Sequence, residues 1–135
     1  MWSVFRASRS LIVDGKEQID MPSTYGAFDF VTKKGDTEPP IEATLEDADG
    51  NAKDLTNANG VRFHMKDPRA DAAKVDAAAT FTDAANGKVE YRWSTGDVDT
   101  TGEYEAEFEV TWSDGDEETF PKDGYLDLNI LDTLA

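Results

Sequence analysis

Residues 103 to 112 read Glu103-Tyr104-Glu105-Ala106-Glu107-Phe108-Glu109-Val110-Thr111-Trp112, and this stretch decides the fold. Tyr104, Ala106, Phe108, Val110 and Trp112 fall on one side of an extended chain, and Glu103, Glu105, Glu107, Glu109 and Thr111 on the other. A helix, with its period of 3.6, would scatter both sets. The segment is therefore a strand with one face in a core and one face towards water.

The same period of two continues on either side of it. Upstream, Lys88-Val89-Glu90-Tyr91-Arg92-Trp93 puts Val89, Tyr91 and Trp93 on one face, directly after the turn signal Asn86-Gly87. Val61-Arg62-Phe63-His64-Met65-Lys66 does the same with Val61, Phe63 and Met65, leaving a basic opposite face. Residues 70 to 79 are alanine-rich and have helical propensity, but Val75, Ala77, Ala79 and Phe81 fit a strand face, and a strand is expected. Further strands are expected at Phe28-Asp29-Phe30-Val31-Thr32, at Ile41-Glu42-Ala43-Thr44-Leu45, near Glu118-Thr119-Phe120-Pro121 and through Leu126, Leu128 and Ile130. The intervening loops are Lys34 to Pro40, Asp47-Ala48-Asp49-Gly50-Asn51, Asn57-Ala58-Asn59-Gly60 and Ser113-Asp114-Gly115-Asp116.

About seven strands with short turns between them imply an all-β, immunoglobulin-like antiparallel β-sandwich over residues 27 to 135, with Phe63, Val89, Tyr91, Trp93, Tyr104, Phe108, Val110 and Leu128 in its core. The sheet order does not follow from the sequence. Residues 1 to 26 read differently. Leu11-Ile12-Val13, Asp14-Gly15-Lys16 and Gln18-Ile19-Asp20-Met21 suggest a short hairpin ended by Pro22-Ser23, in an arm that docks on its own domain or contacts a neighbour. Trp2, Val4, Phe5, Leu11, Ile12, Val13 and Ile19 are its candidate assembly contacts.

A chain of 135 residues fits one domain and can bury roughly two-thirds of its unfolded surface. Three Trp, four Tyr and seven Phe supply large side chains for a thin core. Against 13 Lys and Arg stand 29 Asp and Glu, a formal charge of −16. That charge repels phosphate backbones and anionic headgroups, so neither nucleic acid nor a membrane is an expected partner. The acidic residues are interspersed with apolar ones, which suits a folded domain with a strongly solvated surface. Such a surface self-repels at low ionic strength, and a high-salt host and an ordinary acidic protein are both compatible with it. There is no cysteine, hence no disulfide, thiolate site or thiol nucleophile. No apolar run is long enough for a signal peptide or a membrane span, so a soluble protein made in the cytoplasm is expected.

Enzymatic readings lack parts. His64 is the single histidine and stands between Arg62 and Lys66 on the polar face, where solvation is its expected role. There is no G-x-S-x-G elbow, P-loop or G-x-G-x-x-G. Carboxylates are so abundant that no pair of them stands out as a glycosidase acid and base. Asp47, Asp49 and Asn51 imitate the start of a calcium loop, but Ala52 and Ala58 stand where an EF-hand needs Gly and Glu, and a polar hairpin turn is the simpler reading. The row Glu103, Glu105, Glu107 and Glu109 could attract cations. It more simply forms a solvent face, relieved by cross-strand pairing with Arg62, His64 and Lys66 or with Lys88 and Arg92. No catalytic residue and no cofactor are expected.

The order of short motifs from Phe28 to Ile130 resembles the immunoglobulin-like N-terminal domain family of phage baseplate upper proteins. The motifs begin with Lys34-Gly35-Asp36-Thr37-x-Pro39-Pro40-Ile41, Leu45-x-Asp47-x-x-Gly50, Asp54-Leu55-Thr56 and Val61-x-Phe63-x-Met65. They continue with Asp83-x-x-Asn86-Gly87-Lys88-Val89-x-Tyr91-x-Trp93, Thr101-Gly102-x-Tyr104-x-Ala106-Glu107-Phe108, Asp114-Gly115, Thr119-Phe120-Pro121 and Gly124-Tyr125. The resemblance implies a non-enzymatic virion protein of a tailed virus, made in the host cytoplasm, that assembles with other virion structural proteins and with copies of itself. It implies no catalytic residues. The chain departs from longer members by ending soon after the domain and by carrying the arm, so a baseplate or tail component and a capsid decoration, turret or fibre-base protein are both compatible, with a haloarchaeal virus as one source. The competing expectation is a soluble carbohydrate- or protein-binding sandwich, which could be calcium-stabilised.

Overall fold

The alternating stretch that opens the sequence reading becomes the longest strand of the molecule, at its centre. A computed structural model describes residues 28 to 134, and before them the backbone of three short strands. In chain order these are β1 (Val4–Arg6), β2 (Ile12–Val13) and β3 (Lys16–Glu17). The body follows as β4 (Phe30–Lys33), β5 (Ile41–Thr44), β6 (Ala58–Lys66), β7 (Val75–Asp83), β8 (Lys88–Tyr91), β9 (Gly102–Trp112), β10 (Glu117–Phe120) and β11 (Leu126–Leu131). The fold is all-β and sandwich-like, with eight strands in the body where about seven were expected.

One layer runs β7–β6–β9–β11–β4, and β10 shares the edge of β9 that also carries β11. The second layer runs β7–β8–β5–β1. β7 belongs to both: Val75 to Ala79 pair with β6, and Thr80 to Asp83 pair with β8 across a register shift between Phe81 and Asp83. Such an irregularity bends a strand and lets it pass from one sheet to the other, and here it makes the body nearly barrel-shaped. The alanine-rich segment is thus a strand, as its face pattern indicated. Its small side chains meet Val61, Arg62 and Phe63 in register.

Two expectations need correction. Ala58 to Gly60 is not loop but the beginning of β6, because β9 reaches Trp112 and supplies partners for it, with a shift in register between Ala58 and Gly60. The sheet is largely antiparallel, as expected, with two parallel pairs: β4 lies parallel to β11 and β1 parallel to β5. Parallel neighbours require long connections, and the segments involved are far apart in the chain, which short-turn reasoning could not join. The pairing offered for the glutamate row with Lys88 and Arg92 does not occur. Lys88 lies opposite Thr44 and Asp83 in the other layer, and Arg92 contacts Glu38 and Glu90.

Phe63, Val89, Tyr91, Trp93, Tyr104, Phe108, Val110 and Leu128 are all buried. Phe63 is the hub. Its ring stacks on Tyr91 at 4.7 Å and 13°, meets Trp93 edge-on at 5.6 Å and lies 5.1 Å from Phe108. β6 and β9 lie in one layer and β8 in the other, so these rings join the two sheets in the offset and edge-to-face geometries aromatic pairs prefer.

Candidate functional site

The alternation that buries Tyr104, Ala106, Phe108 and Val110 turns the glutamates of β9 outward, where they meet the basic row of β6. Arg62 lies opposite Glu109, His64 opposite Glu107 and Lys66 opposite Glu105, so opposite charges face each other along three successive outward positions. The other edge of β6 places Asp76 of β7 opposite His64. Arg62 takes up this carboxylate: its Nε donates to Asp76 Oδ1 at 3.0 Å and its Nη2 to the Asp76 carbonyl at 2.9 Å. Sequence reasoning missed Asp76 as the partner of Arg62. Its position between Val75 and Ala77 marks it as outward-facing, but only the β6–β7 register brings it to Arg62.

His64 stands between two carboxylates without a close bond to either. Its Nδ1 is 3.8 Å from Asp76 Oδ1 and its Nε2 is 3.5 Å from Glu109 Oε1, and Nε2 is buried with no hydrogen-bond partner. Both distances are longer than those of well-formed hydrogen bonds. Beside the imidazole a shallow depression of about 260 Å³ is lined by His64, Lys66, Ala73, Glu105, Glu107 and Tyr125. Tyr125 is 47% exposed.

The acidic turn tips serve their own backbone. Asp47 Oδ1 accepts hydrogen bonds from the amides of Asp49 at 2.9 Å and Asn51 at 3.0 Å, and Gly50, with φ of 87°, completes the turn. This is the local side-chain capping for which Asp and Asn are favoured in turns. The amide of Asp116 likewise bonds Asp114 Oδ1 at 3.0 Å. Among the described residues no group of three acidic or histidine side chains is placed to hold a metal ion.

Perturbed acidities follow local pairs. Asp67 is lowered by hydrogen bonds from Arg69, Asp54 by those from Thr56, and Asp99 by those from Lys74 and Thr100. Burial pushes Glu118 up, but the combined pull of Lys122, Lys53 and the Trp112 indole N–H outweighs it, and the carboxyl ends below its ordinary value. The indole Nε1 donates to Glu118 Oε1 at 3.1 Å and Lys53 lies over the Trp112 ring at 5.8 Å, which fastens β10 to the end of β9. These are the signatures of local structural hydrogen bonds and ion pairs.

Trp2, Leu11 and Ile19 of the arm lie outside the described residues. Val4 and Phe5 fall in β1, which pairs in parallel with β5, and Ile12 and Val13 fall in β2, which pairs with β3.

The family model for the BppU N-terminal domain matches residues 19 to 121. Among solved structures, the N-terminal domain of phage TP901-1 ORF48 is similar at 15% identity, over 76% of this chain and 83% of that chain, with a TM-score of 0.49. No curated protein matches the chain.

Proposed function

Because the chain belongs to the BppU N-terminal domain family of phage baseplate upper proteins, and is thereby a virion component, we propose that it acts by protein–protein assembly within the particle and performs no catalysis. The single observation that carries this reading is the family match across residues 19 to 121. The chemistry of the surface supports it: a single histidine set between two carboxylates, turn carboxylates committed to backbone amides, and charge rows that meet one another in register.

The finer assignment is a component of the baseplate or tail, in contact with other virion structural proteins and with further copies of itself. The arm supplies contacts through Trp2, Val4, Phe5, Leu11, Ile12, Val13 and Ile19. A capsid-surface decoration would use the same assembly chemistry. With a charge of −16, the partner surface that meets this domain is expected to be basic, since complementary potentials guide docking and suppress like-charged partners.

The test is to raise antibodies against the purified domain and label intact particles for electron microscopy, with protein identification on fractionated heads and tails. Label at the tail tip is expected. Label confined to the head would move the role to capsid decoration, and absence from purified particles would overturn the assembly reading.

A further inference from the structure

β5 has two neighbours of different origin. On one side it pairs with β8 of the body over Ile41 to Thr44. On the other it receives β1 in parallel, with Val4 opposite Glu42, Phe5 opposite Ala43 and Arg6 opposite Thr44. β5 and β8 fall inside the residues matched by the family model, 19 to 121, whereas β1 lies before them. The strand that covers this edge of β5 therefore comes from outside the residues matched by the family model. An uncovered edge strand is a template for any extended chain that can complete its ladder.

The hold of β1 on that edge is small: three residue pairs, in the parallel arrangement that is slightly less stable per residue. Among the described residues, β2 and β3 pair with each other and add no ladder to the body. Between Arg6 and Phe30 lie residues 7 to 29. Even with residues 12 to 17 folded back as a hairpin, the rest of that connection can span roughly 55 Å at about 3.3 Å per residue, well beyond a body of this size, whose radius of gyration is about 13 Å. A neighbouring edge is within reach.

We infer that the β5 edge is an acceptor for the β1 strand of a second copy of this chain, so that copies held side by side exchange their N-terminal strands. The ladder formed in trans is identical to the one formed in cis, so only the closure of the connection distinguishes them. A covalent connection of this length gives an effective concentration on the order of millimolar. In dilute solution the strand therefore closes on its own body. At that concentration, or on a particle that holds copies adjacent, exchange becomes equally favourable and ties each domain to the next. This deepens the assembly reading by giving the arm a seat and a partner.

The chain has no cysteine, so engineered disulfides report the pairing directly. The double variant Arg6→Cys/Thr44→Cys, oxidised at low micromolar concentration, is expected to close within one chain; failure to close would overturn the register. Full-length Arg6→Cys is then mixed with full-length Thr44→Cys from micromolar up to about millimolar concentration. A covalent heterodimer is expected to rise with concentration and to exceed by about tenfold that formed between Arg6→Cys and Asp114→Cys, whose cysteine sits on a remote turn. A yield equal to this control at every concentration would overturn strand exchange. The measurement uses purified protein alone, so it can fail while particle labelling succeeds, and the reverse.

Discussion

The Tyr91 hydroxyl donates a 2.5 Å hydrogen bond to Oδ2 of Asp97, and the same oxygen accepts the amide of Ser94 at 2.8 Å. A ring at the centre of the inter-sheet cluster is thus anchored at its polar end by the turn that follows β8. Removing the acceptor with Asp97→Ala leaves a buried phenol without its partner and should cost about 1–3 kcal/mol, read as a lower urea midpoint. Tyr91→Phe removes donor and acceptor demand together and should cost less, about 1 kcal/mol.

Burial, then the hydrogen bond and charge of Asp97, push the Tyr91 phenol up to about 12, above its ordinary value near 10. The neutral form is favoured in the folded state. Its contribution is therefore fully present below pH 10 and is lost as pH rises from about 10 through about 12, where the unfolded chain ionises first. Equilibrium unfolding followed from neutral to strongly alkaline pH should show this loss in the parent protein, and a shallower decline in Tyr91→Phe.

Phe63 is fully buried and touches Tyr91, Trp93 and Phe108. Phe63→Ala should cost about 3–5 kcal/mol, a large part of the 5–15 kcal/mol typical of a domain. Differential scanning calorimetry should find little or no cooperative transition, whereas Phe63→Leu should retain one at reduced temperature.

Glycines with the same handedness should differ sharply. Gly87 has φ of 74°, and a Cβ there would lie 2.8 Å from the carbonyl oxygens of both Leu45 and Lys53. Gly50 has φ of 87° but open space around it. Gly50→Ala should cost only the left-handed backbone term, about 1–2 kcal/mol. Gly87→Ala must also displace backbone and should exceed about 3 kcal/mol. Equal melting temperatures for the two variants would contradict this packing.

Salt acts on two opposed quantities. It weakens ion pairs such as Lys74–Asp99, and it screens repulsion among 29 acidic groups set against 13 basic ones. The excess of 16 negative charges dominates, because the pairs are exposed and each contributes little. The melting temperature should rise from dilute buffer to molar KCl. Millimolar calcium at constant ionic strength should not raise it further, since Asp47 already holds two amides and binding to the folded state alone would register as stabilisation.

The all-β class, the inward set from Phe63 to Leu128 and the outward glutamate row were legible in the sequence because side-chain alternation is a local property of an extended chain. Charge and the absence of cysteine were legible for the same reason: they are sums over residues. The motif order also pointed to the family that the match over residues 19 to 121 establishes. The capping of Asp47 by its own turn was readable too, since its partners lie within four residues.

Tertiary structure alone decided which strands are neighbours. β4 beside β11, β1 beside β5 and the passage of β7 between layers join segments with no local signal of each other. The outer face shows the consequence. The alternation of β6 and β9 gave two charge rows, but a one-residue change of register would turn either row inward. It is the β6–β7 pairing that sends Arg62 to Asp76 and leaves His64 between two carboxylates. Periodicity fixes which way a side chain points; only packing of the whole chain fixes what it meets there.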